Sequence, residues 1–274
     1  MTRLKLPQVT LCAVDARCPA LALEALQRSM QGVAFGRVVL FTHGAVAAPV
    51  DIEVVDIGPV NSGAEYSHFV LRRLPAHIAT SHVLVTQWDG FVVHPECWTH
   101  EFLAYDYVGA VWDDQPAATS VGNGGFSLRS RRLLRAGLDG RIEQEHPEDL
   151  MLGRRYRTLL EAEHGVRFAP PALARRFAHE NETPTAPTFG FHGPKNLPAA
   201  LDAATLSRWL AALPDDFFRG RDARRLARAL LGRRWPALAQ ALIARRLGAG
   251  RRDPNTRVLG WLAAAMQTLG AGRA

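Results

Sequence analysis

Four short segments of this chain hold side chains whose types and spacing can do chemistry. The first, VLVTQWDG at residues 83–90, delivers Gln87, Trp88 and Asp89 to the end of an apolar run, where Gly90 permits a tight turn. A carboxylate so placed suits a hard divalent cation such as Mg²⁺ or Mn²⁺. Such ions take one or two carboxylates and complete their shell with water and substrate phosphates. A strand-end Asp also serves as a turn or helix-capping residue. The second segment, VGNGGFSLRS at residues 121–130, sets Gly122, Gly124 and Gly125 around Asn123. It is not the GxxxxGK[ST] phosphate loop, and it does not follow a strand and open a helix as a dinucleotide fingerprint does. It reads either as a loop needing positive φ or as bare backbone laid against a sugar or diphosphate. In the third, HPEDLML at residues 146–152, Pro147 suits a first helical turn, and Glu148 and Asp149 complement the helix dipole. The same pair, opening into a cleft, suits proton removal from a hydroxyl. The fourth, FGFHG at residues 189–193, places His192 between glycines and aromatics. It reads as a packing or capping group, or as a late metal ligand that suits Mn²⁺ better than Mg²⁺.

These segments must be positioned by an alternation of strands and helices. Apolar, β-branched runs predict strands at Val9–Val14, Arg37–Thr42, Ile52–Ile57, Ser81–Thr86, Tyr107–Trp112, Gly125–Leu128 and Val166–Ala169. Helical spacing predicts helices at Pro19–Met30, Ser62–Ile78, His94–Ala104, Arg131–Ala136 and Pro147–Ala162. Strands separated by helices imply β-α-β units and a sheet covered on both faces. Ligands of such open sheets bind beyond the carboxyl ends of the strands. Asp89 lies at one of these ends, and Asp15, after the first strand, at another.

Length and composition narrow the alternatives. The 274 residues allow one large domain, or a medium one with an appendage. With 47% hydrophobic and 22% charged residues, the chain is not predominantly disordered. No apolar run approaches the roughly 20 residues of a spanning helix, and no apolar stretch precedes Pro7 as a secretory signal requires. Cys12, Cys18 and Cys97 fit neither a disulfide framework nor a zinc site, so a reducing, cytoplasmic setting is expected. The charge is unevenly spread. From residue 198 on, 14 Arg stand against 5 Asp, a net +9, whereas the first 197 residues carry 19 basic and 21 acidic side chains, a net −2. The basic part reads as helices, with Leu206, Trp209, Leu210, Leu226 and Leu230 at helical spacing and the pairs Arg233–Arg234 and Arg245–Arg246 beside Trp235, Leu242 and Ile243. This is either a helical subdomain with a solvated Arg face or a surface for anionic lipid. No nucleic-acid-binding signature accompanies the charge.

Taken together, the run TSHVLVTQWDGFVVHPECWTHEFLAYDYVGAVW, then VGNGGFSLRS, HPEDLMLGRRY and FGFHG, resembles a bacterial glycosyltransferase-like family. The order of motifs is similar to that of nucleotide-sugar transferases of the GT-A type, over about residues 8–197. Gln87–Trp88–Asp89 departs from the usual D-x-D in having Gln first, which leaves one carboxylate for metal.

The resemblance implies an α/β, Rossmann-like GT-A fold: a mixed, mainly parallel sheet flanked by helices over residues 1–197, to which the chain's own pattern adds a basic helical extension over residues 198–274. The extension over residues 198–274 lies outside the resemblance and rests on charge and helical spacing alone. The resemblance implies a glycosyltransferase taking a nucleoside-diphosphate sugar, UDP-linked, and passing the sugar to a hydroxyl of a glycan or lipid-linked glycan with inversion, as in the building of a bacterial surface polysaccharide. Asp89 and His192 are then expected to hold Mn²⁺ or Mg²⁺, Asp149 to act as base and Glu148 to bind a neighbouring hydroxyl. Asn123, Gly124 and Gly125 are expected to line the sugar pocket, with Gln87 beside it, Trp88 and Trp112 against sugar faces and Asp15 near the nucleotide. The expected location is the cytoplasm, with the tail at the inner face of the membrane. The alternative is a degenerate, non-catalytic domain that binds sugar nucleotide or docks to a membrane or partner.

Overall fold

The 11-residue strand β1 (Leu4–Val14) runs near the centre of the main sheet of a computed structural model that describes residues 3–271. It is followed by the helix Pro19–Gly32 and by β2 (Val33–Thr42), β3 (Glu53–Asp56), β4 (His82–Thr86), β5 (Phe91–Val92), β6 (Tyr107–Gly109), β7 (Phe126–Ser130), β8 (Ala178–His179) and β9 (Gly190–Phe191). Six strands form one sheet in the order β3-β2-β1-β4-β7-β6, and the remaining three form a small sheet, β5-β9-β8. β1 pairs in parallel with β2 and β4, and β2 in parallel with β3. Strand β7 runs antiparallel to both β4 and β6. The sheet is therefore mixed α/β and mainly parallel, with β7 departing from the simple β-α-β alternation. The cause is local. A parallel return needs a long crossover, and residues 110–125 form only tight turns, at Trp112–Gln115 and Ala117–Thr119, with an antiparallel bridge between Val111 and Val121.

The period-2 alternation of the strands feeds two cores. Leu11 and Ala13 of β1 and Leu84 of β4 pack on one face with Leu26, Phe126 and Phe177. Cys12, Val14, Val83 and Val85 face the other way, onto Phe69, Val70 and Leu74. Burial lifts the Cys12 thiol pKa to about 12, so it behaves as a small hydrophobe.

Several expected elements are shorter or different. His94–Ala104 forms two tight turns, Pro95–Cys97 and His100–Ala104, instead of one helix. It serves to carry Trp98 and Phe102 into edge-on contact, 5.3 Å between ring centres. The strand expected at Val166–Ala169 is reduced to a single bridge between Phe168 and Tyr107. The helix from Pro147 is divided into Glu148–Leu150, a widened turn Met151–Arg155, and Arg157–His164. A helix at Pro171–Phe177 and the two-residue strands β5, β8 and β9 complete the architecture.

The chain divides after His192. The second unit is helical: Ala203–Ala212, Arg221–Gly232, Pro236–Gly248 and Pro254–Ala271 are its longer helices. Trp209 and Leu226 are fully buried in its core. The Arg245–Arg246 pair is structural, not a solvated patch. Arg246 is buried and donates from Nη1 to the carbonyls of Phe218 (2.8 Å) and Gly220 (2.6 Å). Arg245 lies over the Phe218 ring at 3.9 Å and donates to the carbonyls of Leu210 and Leu213. No described helix is long and apolar enough to cross a membrane.

Candidate active site

The small sheet explains how distant segments meet. β9 runs parallel to β8 and antiparallel to β5, so the start of β5 and the ends of β8 and β9 share one edge. Asp89 stands just before β5, Glu180 just after β8 and His192 just after β9. The turn carrying Asp89 is closed by the Gly90 N–H donating to the Gln87 carbonyl (3.1 Å) and by Thr86 Oγ1 donating to the Gly90 carbonyl (2.5 Å). A Cβ at Gly90 would lie 2.6 Å from the Phe191 carbonyl oxygen, so only glycine allows the two chains to approach this closely.

His192 is the meeting point. Its Nε2 lies 3.5 Å from Asp89 Oδ1 and 3.2 Å from Gln87 Oε1, and its Nδ1 lies 3.5 Å from Glu180 Oε1. Burial alone would depress the imidazole pKa, but the Asp89 and Glu180 carboxylates raise it well above the ordinary value. Asp89 is buried, and its Oδ1 accepts no hydrogen bond of ordinary geometry.

This orphaned oxygen tests whether the pair suits a metal. Two ligands sharing a small cation at 2.0–2.2 Å sit about 3 Å apart, close to the separation of Asp89 Oδ1 and His192 Nε2. Among the described residues, no group of three or more His, Cys, Asp or Glu is arranged to hold a metal ion. The residues therefore fit a hard cation that draws most of its shell from water and substrate phosphate. Its binding would compete with the proton on His192.

The Gly-rich loop joins this cluster to the acidic pair. Asn123 is buried, donating from Nδ2 to Glu180 Oε2 (3.0 Å) and accepting from the Gly125 N–H (3.2 Å). The Gln87 N–H donates to the Gly125 carbonyl at 3.0 Å. A Cβ at Gly125 would sit 2.1 Å from His192 Nε2, and one at Gly124 would sit 2.6 Å from Glu148 Oε1. Both Cα positions thus face protein groups at van der Waals range. None of these glycines has positive φ. Their requirement is close approach, not an unusual backbone.

Glu148 and Asp149 have separate surroundings. Glu148 is buried, and its Oε1 accepts from Nη2 of the fully buried Arg129 at 2.8 Å. Arg129 also donates to Ser127 Oγ and to the Gly124 carbonyl, and its guanidinium stands 5.4 Å over the Tyr107 ring. Glu148 Oε1 thereby helps to hold the loop through Arg129. Asp149 is only half-buried. Its Oδ2 accepts from the Gly124 N–H (3.2 Å) and its Oδ1 from the Leu150 N–H (2.8 Å). Burial first, and then the Glu148 charge, raise its pKa to about 6, against the pull of Leu150, Arg129 and Gly124.

Asp15 closes the turn after β1, its Oδ1 accepting from the N–H groups of Arg17 (2.8 Å) and Cys18 (2.6 Å). Burial raises its pKa, and the Asp89 charge adds to the rise, so the two carboxylates share one end of the sheet. Trp88 is half-buried at the end of β4. Trp112 packs on Gly122, where a Cβ would lie 2.5 Å from the indole.

The chain belongs to the family described as protein of unknown function DUF5672, which matches residues 49–192. That span contains the first three segments and the fourth as far as His192. Among curated proteins no match is found. Among solved structures, the chain is similar to the mannosyltransferase PcManGT from Pyrobaculum calidifontis in complex with GDP-Man and Mn²⁺. The identity is 13%, the match covers 98% of this chain and 77% of that one, and the TM-score is 0.41. It is similar to the galactosyltransferase LgtC in complex with donor and acceptor sugar analogs, at 11% identity, 76% and 98% coverage and a TM-score of 0.40. It is also similar to glucosyl-3-phosphoglycerate synthase from Mycobacterium tuberculosis, at 12% identity, 47% and 58% coverage and a TM-score of 0.31. At TM-scores this low these likenesses bear no weight, and what the site can do follows from its own residues.

Two residues of the site stand outside the four segments' motif signals. Glu180 lies in HENE, directly after a two-residue strand, and its only sequence signal is an acidic residue at a strand end. Arg129 occupies an apolar strand as a buried cation, and only its partner Glu148 explains it.

Proposed function

We propose that this chain is a glycosyltransferase of the GT-A kind, moving a sugar from a nucleoside-diphosphate sugar, UDP-linked, to a hydroxyl of a glycan or lipid-linked glycan. One observation carries the reading. Asp89 and His192, 3.5 Å apart at the end of β4, are joined through Asn123, Gly124 and Gly125 to the Asp149 carboxylate, whose pKa is near 6. A phosphate-facing half and a proton-accepting half are therefore built on one loop.

Asp89 and His192 are the residues that would hold Mn²⁺ or Mg²⁺, with Gln87 beside them. A divalent cation held there would neutralise the charge that grows on the departing nucleoside diphosphate. Asp149 takes the proton from the acceptor hydroxyl as its oxygen bonds to the anomeric carbon and the bond from that carbon to the diphosphate breaks. Attack from the face opposite the leaving group inverts the configuration. The two backbone N–H groups fix the Asp149 carboxylate, and Arg129 keeps Glu148 from competing for the proton.

Calorimetric titration of UDP with and without Mn²⁺ tests the donor half. Mn²⁺ should tighten binding at least about tenfold, or ~1.4 kcal/mol, and Asp89→Ala should abolish that increment while the protein stays folded. Equal affinity in both conditions would refute the metal role. The second reading, a sugar-nucleotide-binding module without turnover, is favoured by the absence of a three-ligand metal cluster among the described residues. Binding of the sugar nucleotide with no donor consumption, with or without metal, would select it.

A further inference from the structure

The last helix, Pro254–Ala271, is apolar on two sides. Thr256, Leu259 and Ala263 lie on one side and are buried. On the other side lie Val258, Trp261, Leu262, Ala265 and Leu269, spaced three and four apart. Trp261 is 71% exposed, Leu269 72%, Val258 56% and Leu262 38%. A helix that is apolar all round normally has both faces covered. Here nothing among the described residues covers the second face.

Its charged surroundings identify the cover. The helix contains no Asp, Glu or Lys. Arg251 and Arg252 are exposed just before it, and Arg257 is exposed on its first turn. The nearest carboxylate, Asp253, accepts from the Thr256 N–H (3.1 Å) and Oγ1 (2.8 Å) and lies 3.7 Å from the buried Arg246. It is thereby committed to the helix start. Trp and Leu on one face with Arg at the flank is the pattern of a helix lying in the plane of a membrane surface. A second copy of this face would add positive charge to positive, whereas an anionic bilayer meets it with the opposite sign.

We propose that the Val258–Leu269 face of the last helix is a reversible attachment surface for an anionic lipid bilayer. The apolar stripe enters the headgroup boundary, and Arg252 and Arg257 hold the lipid charge. This is a different surface from the Arg245–Arg246 pair, whose guanidinium groups are spent on the internal carbonyls of the helical unit.

The test is cosedimentation of the full chain with phosphatidylcholine vesicles containing a quarter phosphatidylglycerol, against pure phosphatidylcholine. The chain should sediment with the anionic vesicles at about 0.05 M salt and be largely released at about 0.5 M. Trp261→Ser/Leu269→Ser should lower vesicle partition at least about tenfold. Arg252→Gln/Arg257→Gln changes only exposed side chains, so it reads even if the first variant folds poorly. It should erase the preference for anionic over neutral vesicles. Intact protein that stays in the supernatant with anionic vesicles overturns the proposal, as do two folded variants that bind unchanged. Sedimentation velocity gives the third outcome: a dimer that Trp261→Ser splits, without vesicle binding, assigns the face to a second copy and also overturns it.

Discussion

Replacing Asp149 by Asn separates a base from a helix-start residue. The wild-type carboxyl has a pKa near 6, raised chiefly by burial and then by Glu148. An acid raised in this way is protonated, and useless as a base, below that value. The predicted kcat/KM therefore rises about tenfold per pH unit below 6 and levels off above it. Asp149→Asn should lower turnover on the order of 10²–10⁴-fold and remove this rise, leaving UDP affinity within about twofold. Stability gives an independent reading with the opposite sign to the usual carboxylate case. Because the folded pKa lies above the unfolded one, the native state binds the proton more tightly. The wild type then loses stability as pH rises from about 4 to 6, on the order of 2–3 kcal/mol at most, a ceiling because Glu148 shares the effect. The substituted amide carries no such charge, but it leaves one of the two N–H donors, Gly124 or Leu150, facing an NH₂ group, a cost of about 1–3 kcal/mol. The two effects nearly offset at pH 8, and the variant falls behind the wild type at pH 5. Acceptor-dependent turnover from pH 5 to 8, with thermal melts on the same samples, measures both. An Asp149→Asn protein retaining a tenth or more of wild-type turnover, or a wild-type profile flat across pH 5–7, would refute the assignment.

Two substitutions test how the site is held together. Gly125→Ala puts a methyl 2.1 Å from His192 Nε2, so the ring must move. A stability loss of roughly 1–3 kcal/mol and the disappearance of Mn²⁺-dependent UDP binding should show together in melts and calorimetry. Arg129→Met leaves Glu148 buried without its 2.8 Å partner. Equilibrium urea unfolding should record about 3–5 kcal/mol of lost stability, and Glu148→Gln on top of it should recover part of that loss.

Much of the first unit was legible because its signals are local. The apolar runs that become β1, β2 and β4, and the helix Pro19–Gly32, carry their period within a dozen residues. Asp89 was legible for the same reason, as a polar residue ending an apolar strand. The meeting of Asp89 with His192 followed from motif order alone, because the elements that create it are two residues long and have no period. β5, β8 and β9 exist only through one another. The direction of β7 was hidden likewise, since it depends on what residues 110–125 fail to form. Glu148 shows a different limit. Its type and position at a helix start fit a substrate contact, and only the guanidinium of Arg129 across the fold decides where its charge is spent.

The pairing of Gly124 with Gly125 has a mechanical consequence. Gly124 offers its N–H to Asp149, and Gly125 leaves room for the His192 ring while its carbonyl takes the Gln87 N–H. A single peptide link thus acts as the spacer between the two halves of the site, and their separation is gauged by one peptide unit of backbone. Drift in the surrounding helices can be absorbed by their own packing without changing that gap. Lengthening or shortening the loop by one residue shifts the two halves out of step at once. Tolerance to insertion should therefore collapse at this spacer and be ordinary in the exposed loops on either side of it.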